Sequence, residues 1–280
     1  MGKIPLIAAV NDMSGFGRCS LTVALPIISA MGMQCCPLPT AILSNHTGYN
    51  SCHFTDLSHG MDEYISEWGK LQLKFDGVYT GFLANASQVD KVMDFVSNFA
   101  KPGVVKLIDP VMADNGELYS TCDAELCKEM AKLVSLGTIT TPNLTEACLL
   151  TGRNIADVLS LNGNARREAV YGIAESIAKT GPKQVVVTGV EIAEGMVENV
   201  VYDNGERFSV SSPKVERQFA GTGDLFASVL CGHLVRGGSL KNALGLTTAF
   251  VYETTQYTFE CDSPATDGIM FEPFLNKLCK

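Results

Sequence analysis

The sequence is short of positive charge and of long apolar stretches. It holds 21 basic against 30 acidic side chains, a formal net charge of −9, with four histidines and one tryptophan. A general nucleic-acid binder needs a basic footprint to displace counterions, and an anionic membrane surface attracts the same sign, so the balance argues against both. The longest apolar runs, such as Leu6–Val10, fall far below the roughly 20 residues of a membrane span. The opening segment MGKIPLIAAV lacks a signal-peptide apolar region and cleavage site and reads as a strand. Leu6 stands where an N-myristoylation signal takes Ser or Thr. Ten cysteines are scattered without a CxxC pair, which argues for buried, reduced thiols in a cytoplasmic protein rather than disulfides or zinc. No G-x-S-x-G, H-E-x-x-H or G-x-x-x-x-G-K-[ST] occurs, so hydrolase, zinc-protease and Walker-type readings lose support. Gly15-Phe16-Gly17 begins like a dinucleotide fingerprint, yet Ser20 occupies the third glycine's place.

What is present is an alternation of strand and helix patterns along all 280 residues. Apolar runs predict strands at Ile4–Val10, Gln34–Leu43, Gly77–Thr80, Val104–Ile108, Thr138–Thr141 and Gln184–Thr188. Between them, helical patterns span Leu21–Met31, Glu63–Leu73, Ser87–Phe99, Ala124–Leu136, Thr145–Thr151 and Arg166–Thr180. Asp203-Asn204-Gly205 joins Val197–Tyr202 to Arg207–Val210 as a hairpin, and helices follow at Asp224–Val235, Leu240–Thr255 and Phe271–Leu278. The pattern predicts a single α/β domain over residues 1–280, a doubly wound, mostly parallel sheet with helices on both faces. In such sheets ligands bind beyond the carboxyl ends of the strands.

Four segments at those junctions carry polar chemistry. In Gly221-Thr222-Gly223-Asp224, two glycines bracket a threonine at a helix start, where the backbone amides and the helix dipole form an anion hole. Asp224 beside a bound phosphoryl group could accept the proton of an attacking hydroxyl, although the same dipole is expected to lower its pKa. The plainer reading is a helix cap with an acidic first turn. Asn143 and Glu146 in TPNLTE have the spacing of a capping box, which explains both without function; alternatively they orient water around magnesium. Asp109 and Asp114 leave a strand end either as a metal-phosphate loop or as an Asp-Pro and Asp-Asn-Gly turn. The loop SNHTGY at 44–49 suits a polar aromatic ligand, while His46, His53 and His59 lack metal-site spacing.

Together SNHTGY at 44–49, TG with an aromatic at 80–82, DPVMAD at 109–114, TPNLTEA at 141–147 and GTGD at 221–224 resemble the ribokinase superfamily, and more narrowly the pyridoxal kinase family. The resemblance spans nearly the whole chain, starting at Asn11-Asp12-Met13-Ser14. It implies a ribokinase-like fold and ATP-dependent phosphorylation of the 5′-hydroxymethyl group of a B6 vitamer, with hydroxymethylpyrimidine or a sugar as the alternative acceptor. A non-catalytic nucleotide- or vitamer-binding protein is the alternative of another class. By this resemblance Asp224 is the base, and the amides of Gly221, Thr222 and Gly223 stabilise the transferring phosphoryl group. Asp114, Asn143 and Glu146 would serve ATP and Mg2+, the two carboxylates through water or phosphate, and Thr188 would touch the nucleotide. Ser14 and Thr47 would hold the substrate ring's polar groups, and Phe82, where the family often has tyrosine, would wall the ring. A monovalent cation such as K+ and a homodimer are further implications, and a large β lid is not encoded.

Overall fold

The computed structural model describes residues 3–279. Its first half runs β1 (Leu6–Ser14), α1 (Ser20–Ala30), β2 (Gln34–Leu43), β3 (Phe54–Asp56), α2 (Met61–Lys70), β4 (Phe75–Thr80), α3 (Ala86–Phe99) and β5 (Ala100–Ile108). A two-strand hairpin, β6 (Ala113–Asp114) and β7 (Glu117–Leu118), leads to α4 (Ala124–Leu136), β8 (Ile139–Thr140), α5 (Leu144–Thr151), α6 (Ile155–Leu159) and α7 (Gly163–Ala178). The chain ends with β9 (Gln184–Ala193), β10 (Met196–Asp203), β11 (Glu206–Pro213), α8 (Thr222–Val235), α9 (Leu240–Glu260) and two 3₁₀ turns.

Nine strands form one sheet in the order β11-β10-β9-β8-β5-β4-β1-β2-β3. The six central strands, β9 to β2 in that order, are parallel, and β3, β10 and β11 join antiparallel at the edges. This is the ribokinase-like α/β arrangement, with helices on both faces. Alternate residues of β1 enter different cores: Ala8 and Val10 pack under α3, α4 and α7, whereas Ile7 and Ala9 pack under α1, α8 and α9. Burial on both faces explains why these strands read as continuous apolar runs.

Local signals set the helix starts. Asn85 accepts from the Gln88 amide at 3.1 Å to open α3, and Asp123 accepts from the Leu126 amide at 2.8 Å to open α4. Strand and helix order match the sequence reading, but β1 runs on to Ser14, β5 starts at Ala100 and α9 runs on to Glu260, and there are further differences. β9 runs on to Ala193 rather than ending at Thr188. The segment expected as a helix at 271–278 is helical over Glu272–Lys277, but of the tighter 3₁₀ kind. β3 and α6, three and five residues long, carry too little periodicity to be read. The Asp-Asn-Gly segment is a turn as read, but it also closes the β6–β7 hairpin, with Asn115 at φ 51° and Gly116 at φ 86°. All ten cysteines are free; Cys19, Cys148 and Cys231 are buried, and the others are partly or fully exposed, so the expectation of buried thiols holds for three.

Trp68 of α2 anchors one core through an aromatic group: its ring centroid lies 5.2 Å from Phe75 and 5.8 Å from Phe95, and Phe95 stacks on Phe99 at 4.9 Å. Phe95→Ala is expected to lower unfolding free energy by about 3–5 kcal/mol, measured by urea titration of the lone tryptophan's fluorescence. Turnover at 20 °C, roughly room temperature, should change little, because this group lies away from the carboxyl ends of the central strands.

Candidate active site

Gly221 precedes α8 with φ +73°, and a Cβ there would lie 1.9 Å from the Arg18 carbonyl oxygen, so only glycine fits. Thr222 and Gly223, read from sequence as part of the turn, are the first residues of α8 itself. The first bond of the helix ladder runs from Leu225 N to Gly221 O at 2.9 Å, so the amides of Thr222, Gly223 and Asp224 precede it. The Thr222 hydroxyl donates to Phe219 O at 2.7 Å, leaving its amide as the group directed outward. A Cβ on Gly223 would meet nothing within 4 Å: the space over this turn is open.

Asp224 sits half-buried at the base of that space. Asn11 Nδ2 and the Tyr79 hydroxyl donate to its Oδ1 at 3.0 and 3.2 Å, and the Ser20 amide also donates to the carboxylate. Burial nonetheless pushes Asp224 above the ordinary aspartate range, outweighing these donors. The helix end was expected to lower it; desolvation is the larger effect, and the result is a better base.

Asn11 is fixed from both sides. Its Oδ1 accepts from the amides of Asp12 at 3.0 Å and Phe82 at 2.8 Å. A Cβ on Gly81 would lie 2.4 Å from Asn11 Nδ2, so the glycine of the TG pair makes room for the asparagine. Ser14 is fully buried, like Asn11, and its hydroxyl donates to Asp12 Oδ2 at 3.0 Å. Phe82 is half-buried and meets Phe54 edge-on at 6.4 Å between centroids. Thr47 is exposed in the SNHTGY loop. That loop is tied down by its neighbours: a His46 ring nitrogen bonds Thr266 O at 2.6 Å, and the Tyr49 hydroxyl donates to Asp267 at 2.8 Å. The segment holding both also accepts the Ala220 amide at Ala265 O, 3.0 Å, and so borders the α8 turn.

On the other side of Asp224 lie the second and third motifs. Asp109 is buried and accepts the Thr141 hydroxyl at 2.9 Å; burial first, and the Asp224 charge second, push it up to about 7. Asn143 and Glu146 do form the capping box of α5, at 3.0 and 2.9 Å. Glu146 also accepts the Met112 amide at 3.1 Å, and Asn143 Nδ2 donates to Ala113 O at 2.7 Å, so the cap also clamps the DPVMAD loop. Burial and the Asp109 charge hold Glu146 well above its ordinary range. Asp114 is partly buried, raised by that burial, and accepts the Asn115 amide at 2.8 Å. Thr188 lies mid-strand, where its amide donates to Pro142 O at 2.9 Å beside Asn143. Among the described residues no three His, Cys, Asp or Glu side chains gather closely enough to hold a metal alone.

Asn11, Asp12, Ser20 and Tyr79 escaped the assignment of roles from sequence. Tyr79 lies in an apolar strand and reads as core; only the neighbouring strand ends show that its hydroxyl meets Asp224.

Residues 25–267 match the phosphomethylpyrimidine kinase family. The pyridoxal kinase PdxY of Granulibacter bethesdensis is 28% identical over 273 residues, 92% of this chain and 91% of that protein. A provisionally named phosphomethylpyrimidine kinase from Bacteroides thetaiotaomicron, crystallised with pyridoxal, is 38% identical, superposes with a TM-score of 0.93 and covers 99% of this chain and 96% of its own. The pyridoxal kinase of Lactobacillus plantarum shares the fold at TM-score 0.88 and 24% identity, covering 99% of this chain and 97% of its own. The family match covers most of the chain, from within α1 to residue 267, and the 38% identical structure covers 99% of it: this chain belongs to the phosphomethylpyrimidine kinase family.

Proposed function

We propose that the protein is an ATP-dependent pyridoxal kinase that phosphorylates the 5′-hydroxymethyl group of a B6 vitamer. The observation that carries the reading is the Asp224 carboxylate, raised by burial, set among neutral donors and placed in the same helical turn as open backbone amides. Pyridoxal bound to the 38% identical Bacteroides protein supports the acceptor.

In this reading the acceptor hydroxyl lies between Asp224 and the nucleotide's terminal phosphorus. Asp224 accepts the hydroxyl proton as the phosphoryl group transfers, and Asn11 and Tyr79 hold the carboxylate in place. The amides of Gly221, Thr222 and Gly223 meet the charge that develops on the phosphoryl oxygens. Phe82 and Thr47 face the ring, and Ser14 is the third group expected to meet its polar substituents. Phe82 offers a ring face and no hydroxyl.

Asp114, Asn143, Glu146 and Thr188 form the nucleotide side. The donor set fits a divalent ion that arrives with phosphate: the pocket concentrates Asp109, Glu146 and Asp224, which hydroxyls, amides and backbone N–H groups meet. Asp114 and Glu146 would hold Mg2+ through water or phosphate, and the ion would neutralise charge on the nucleotide. A monovalent cation such as K+ would share this acidic pocket. Met13 and Ile42, paired across β1 and β2 and 42% and 49% exposed, support a homodimer face. The sheet that runs through the chain supports one domain over residues 1–280, and the unbridged cysteines support the cytoplasm.

Side-by-side assay of ADP release with ATP and Mg2+ tests the acceptor. At least one of pyridoxal, pyridoxamine and pyridoxine should exceed hydroxymethylpyrimidine in kcat/KM; a tenfold or greater advantage for the pyrimidine would reassign the substrate.

Asp224→Asn should lower kcat by about 10²–10⁴-fold while ATP binding changes less than about threefold. Turnover near that of the unaltered enzyme would refute the base.

The buried charge also has a stability consequence. Unfolded, Asp109 titrates near 3.8; folded, near 7. Between those values the unfolded chain releases a proton that the folded protein keeps, so this group lowers stability as pH rises through that window. Asp109→Asn should therefore raise the melting temperature of the ligand-free protein more at about pH 8 than at about pH 5. An equal shift at both would contradict the assignment.

A further inference from the structure

Ser20, the first residue of α1, has φ +52°, a left-handed conformation that a residue with a Cβ rarely adopts. The helix behind it is packed, with Leu21, Val23 and Ala24 buried. Relaxation at Ser20 would therefore be taken up by the preceding peptide unit, the one that carries the Ser20 N–H. That N–H is the donor to Asp224.

The strained residue is held by its side chain. The Ser20 hydroxyl donates to Asp12 Oδ1 at 2.5 Å, and the Ser14 hydroxyl donates to Asp12 Oδ2 at 3.0 Å. Ser14, Asp12 and Ser20 are 0%, 5% and 7% exposed. A carboxylate enclosed here, held by two hydroxyls and close enough to Asp224 to feel its charge, is an expensive way to fill space. What it provides over a neutral side chain is two strong acceptors with no competing donor. Strain retained beside reacting groups is a recognised mark of function when the surroundings enforce it.

We propose that Asp12 is a positioning residue for Asp224: its carboxylate clamps Ser20 in the left-handed conformation and thereby aims the Ser20 amide at the base. The proposal rests on Asp224 being that base. It also gives Ser14 a task, since its hydroxyl fixes the second oxygen of the clamp.

Removing the clamp separates a role in positioning from one in folding. Ser20→Ala deletes the hydroxyl but keeps the Cβ that disfavours positive φ; Ser20→Gly deletes both. Glycine adopts positive φ without strain, so a purely structural Ser20 would separate the two variants in melting temperature alone and leave kcat of the folded enzymes alike. The clamp separates them in kcat. Ser20→Ala and Asp12→Ala should each lower kcat on the order of 10–100-fold, with KM for ATP changed less than about twofold. Ser20→Gly should retain several-fold more turnover than Ser20→Ala, and Asp12→Ala should cost less in the Ser20→Gly background than alone. Melting curves show which variants are folded at the assay temperature. Should Asp12→Ala be unfolded there, the alanine–glycine comparison at Ser20 decides by itself. Ser20→Gly no better than Ser20→Ala, or kcat unmoved by Ser20→Ala, would overturn the clamp. Asp224→Asn serves as the separate control: if it is inactive while the clamp fails, the base assignment stands, and if it is active, the base assignment falls on its own account.

Discussion

A carboxylate taken out of water must be compensated by hydrogen bonds or by opposite charge, and around the start of α8 this chain uses hydrogen bonds. Asp12 is met by two serine hydroxyls, Asp109 by a threonine hydroxyl, Glu146 by backbone amides, and Asp224 by an asparagine, a tyrosine and an amide. Neutral donors orient a carboxylate without cancelling its field. Burial lifts each of these groups above its ordinary range, so the pocket gains protons more readily than exposed carboxylates would and favours a ligand that brings positive charge. Such a pocket repels a bare polyphosphate and accepts one that brings its own cations. Within it, the amides at the first turn of α8 are a local source of positive potential, by which, in the proposed reaction, a protein of net charge −9 would hold a phosphoryl group.

The sheet order is what brings these groups together. Asn11 stands 213 residues from Asp224, and Tyr79 stands 145 residues from it. β1, β4, β5 and β8 are neighbours, so Asn11, Gly81, Asp109 and Thr141 emerge side by side at one edge. The register between β1 and β2 slips at that edge, with Asn11 opposite Pro39 and Met13 opposite Ile42, so β2 carries an extra residue there. No local stretch contains the site; parallel crossovers assemble it at the ends of the strands.

This explains what could be read in advance. Continuous apolar strands and capped amphipathic helices are local patterns, and they placed the central sheet and most helices within a few residues. GTGD, DPVMAD and TPNLTE were visible because each packs its signal into a short window, and the capping box at Asn143–Glu146 is both the cap and the clamp on the neighbouring loop. The support around the base was not visible. Tyr79 is indistinguishable from core until its hydroxyl is seen against Asp224, and Ser20 reads as an unremarkable helix start until its φ is known. The bond from the Ser14 hydroxyl to Asp12 is also a tertiary fact that no short window shows. The sign of the Asp224 shift was likewise beyond reach, because the helix end is local while desolvation depends on everything packed around it.

The two sides of the site differ in how tightly their groups are fixed. Around phosphoryl transfer, Asn11, Gly81, Asp224 and Gly221 are constrained by close contacts: a side chain at either glycine would strike Asn11 or the Arg18 carbonyl. On the proposed ring side, Thr47 is exposed and Phe82 is half-buried, held through its amide on Asn11, its carbonyl on Thr40 and the edge of Phe54. Substitutions are therefore admitted more readily on the ring side than on the transfer side. In the proposed reaction, pyridines and pyrimidines that carry a hydroxymethyl group would present the same alcohol to Asp224 and differ only in the ring. A family whose members bear names from both chemistries is what such an asymmetric constraint would produce: the transfer machinery is held by backbone contacts, and acceptor choice rests on a few adaptable side chains.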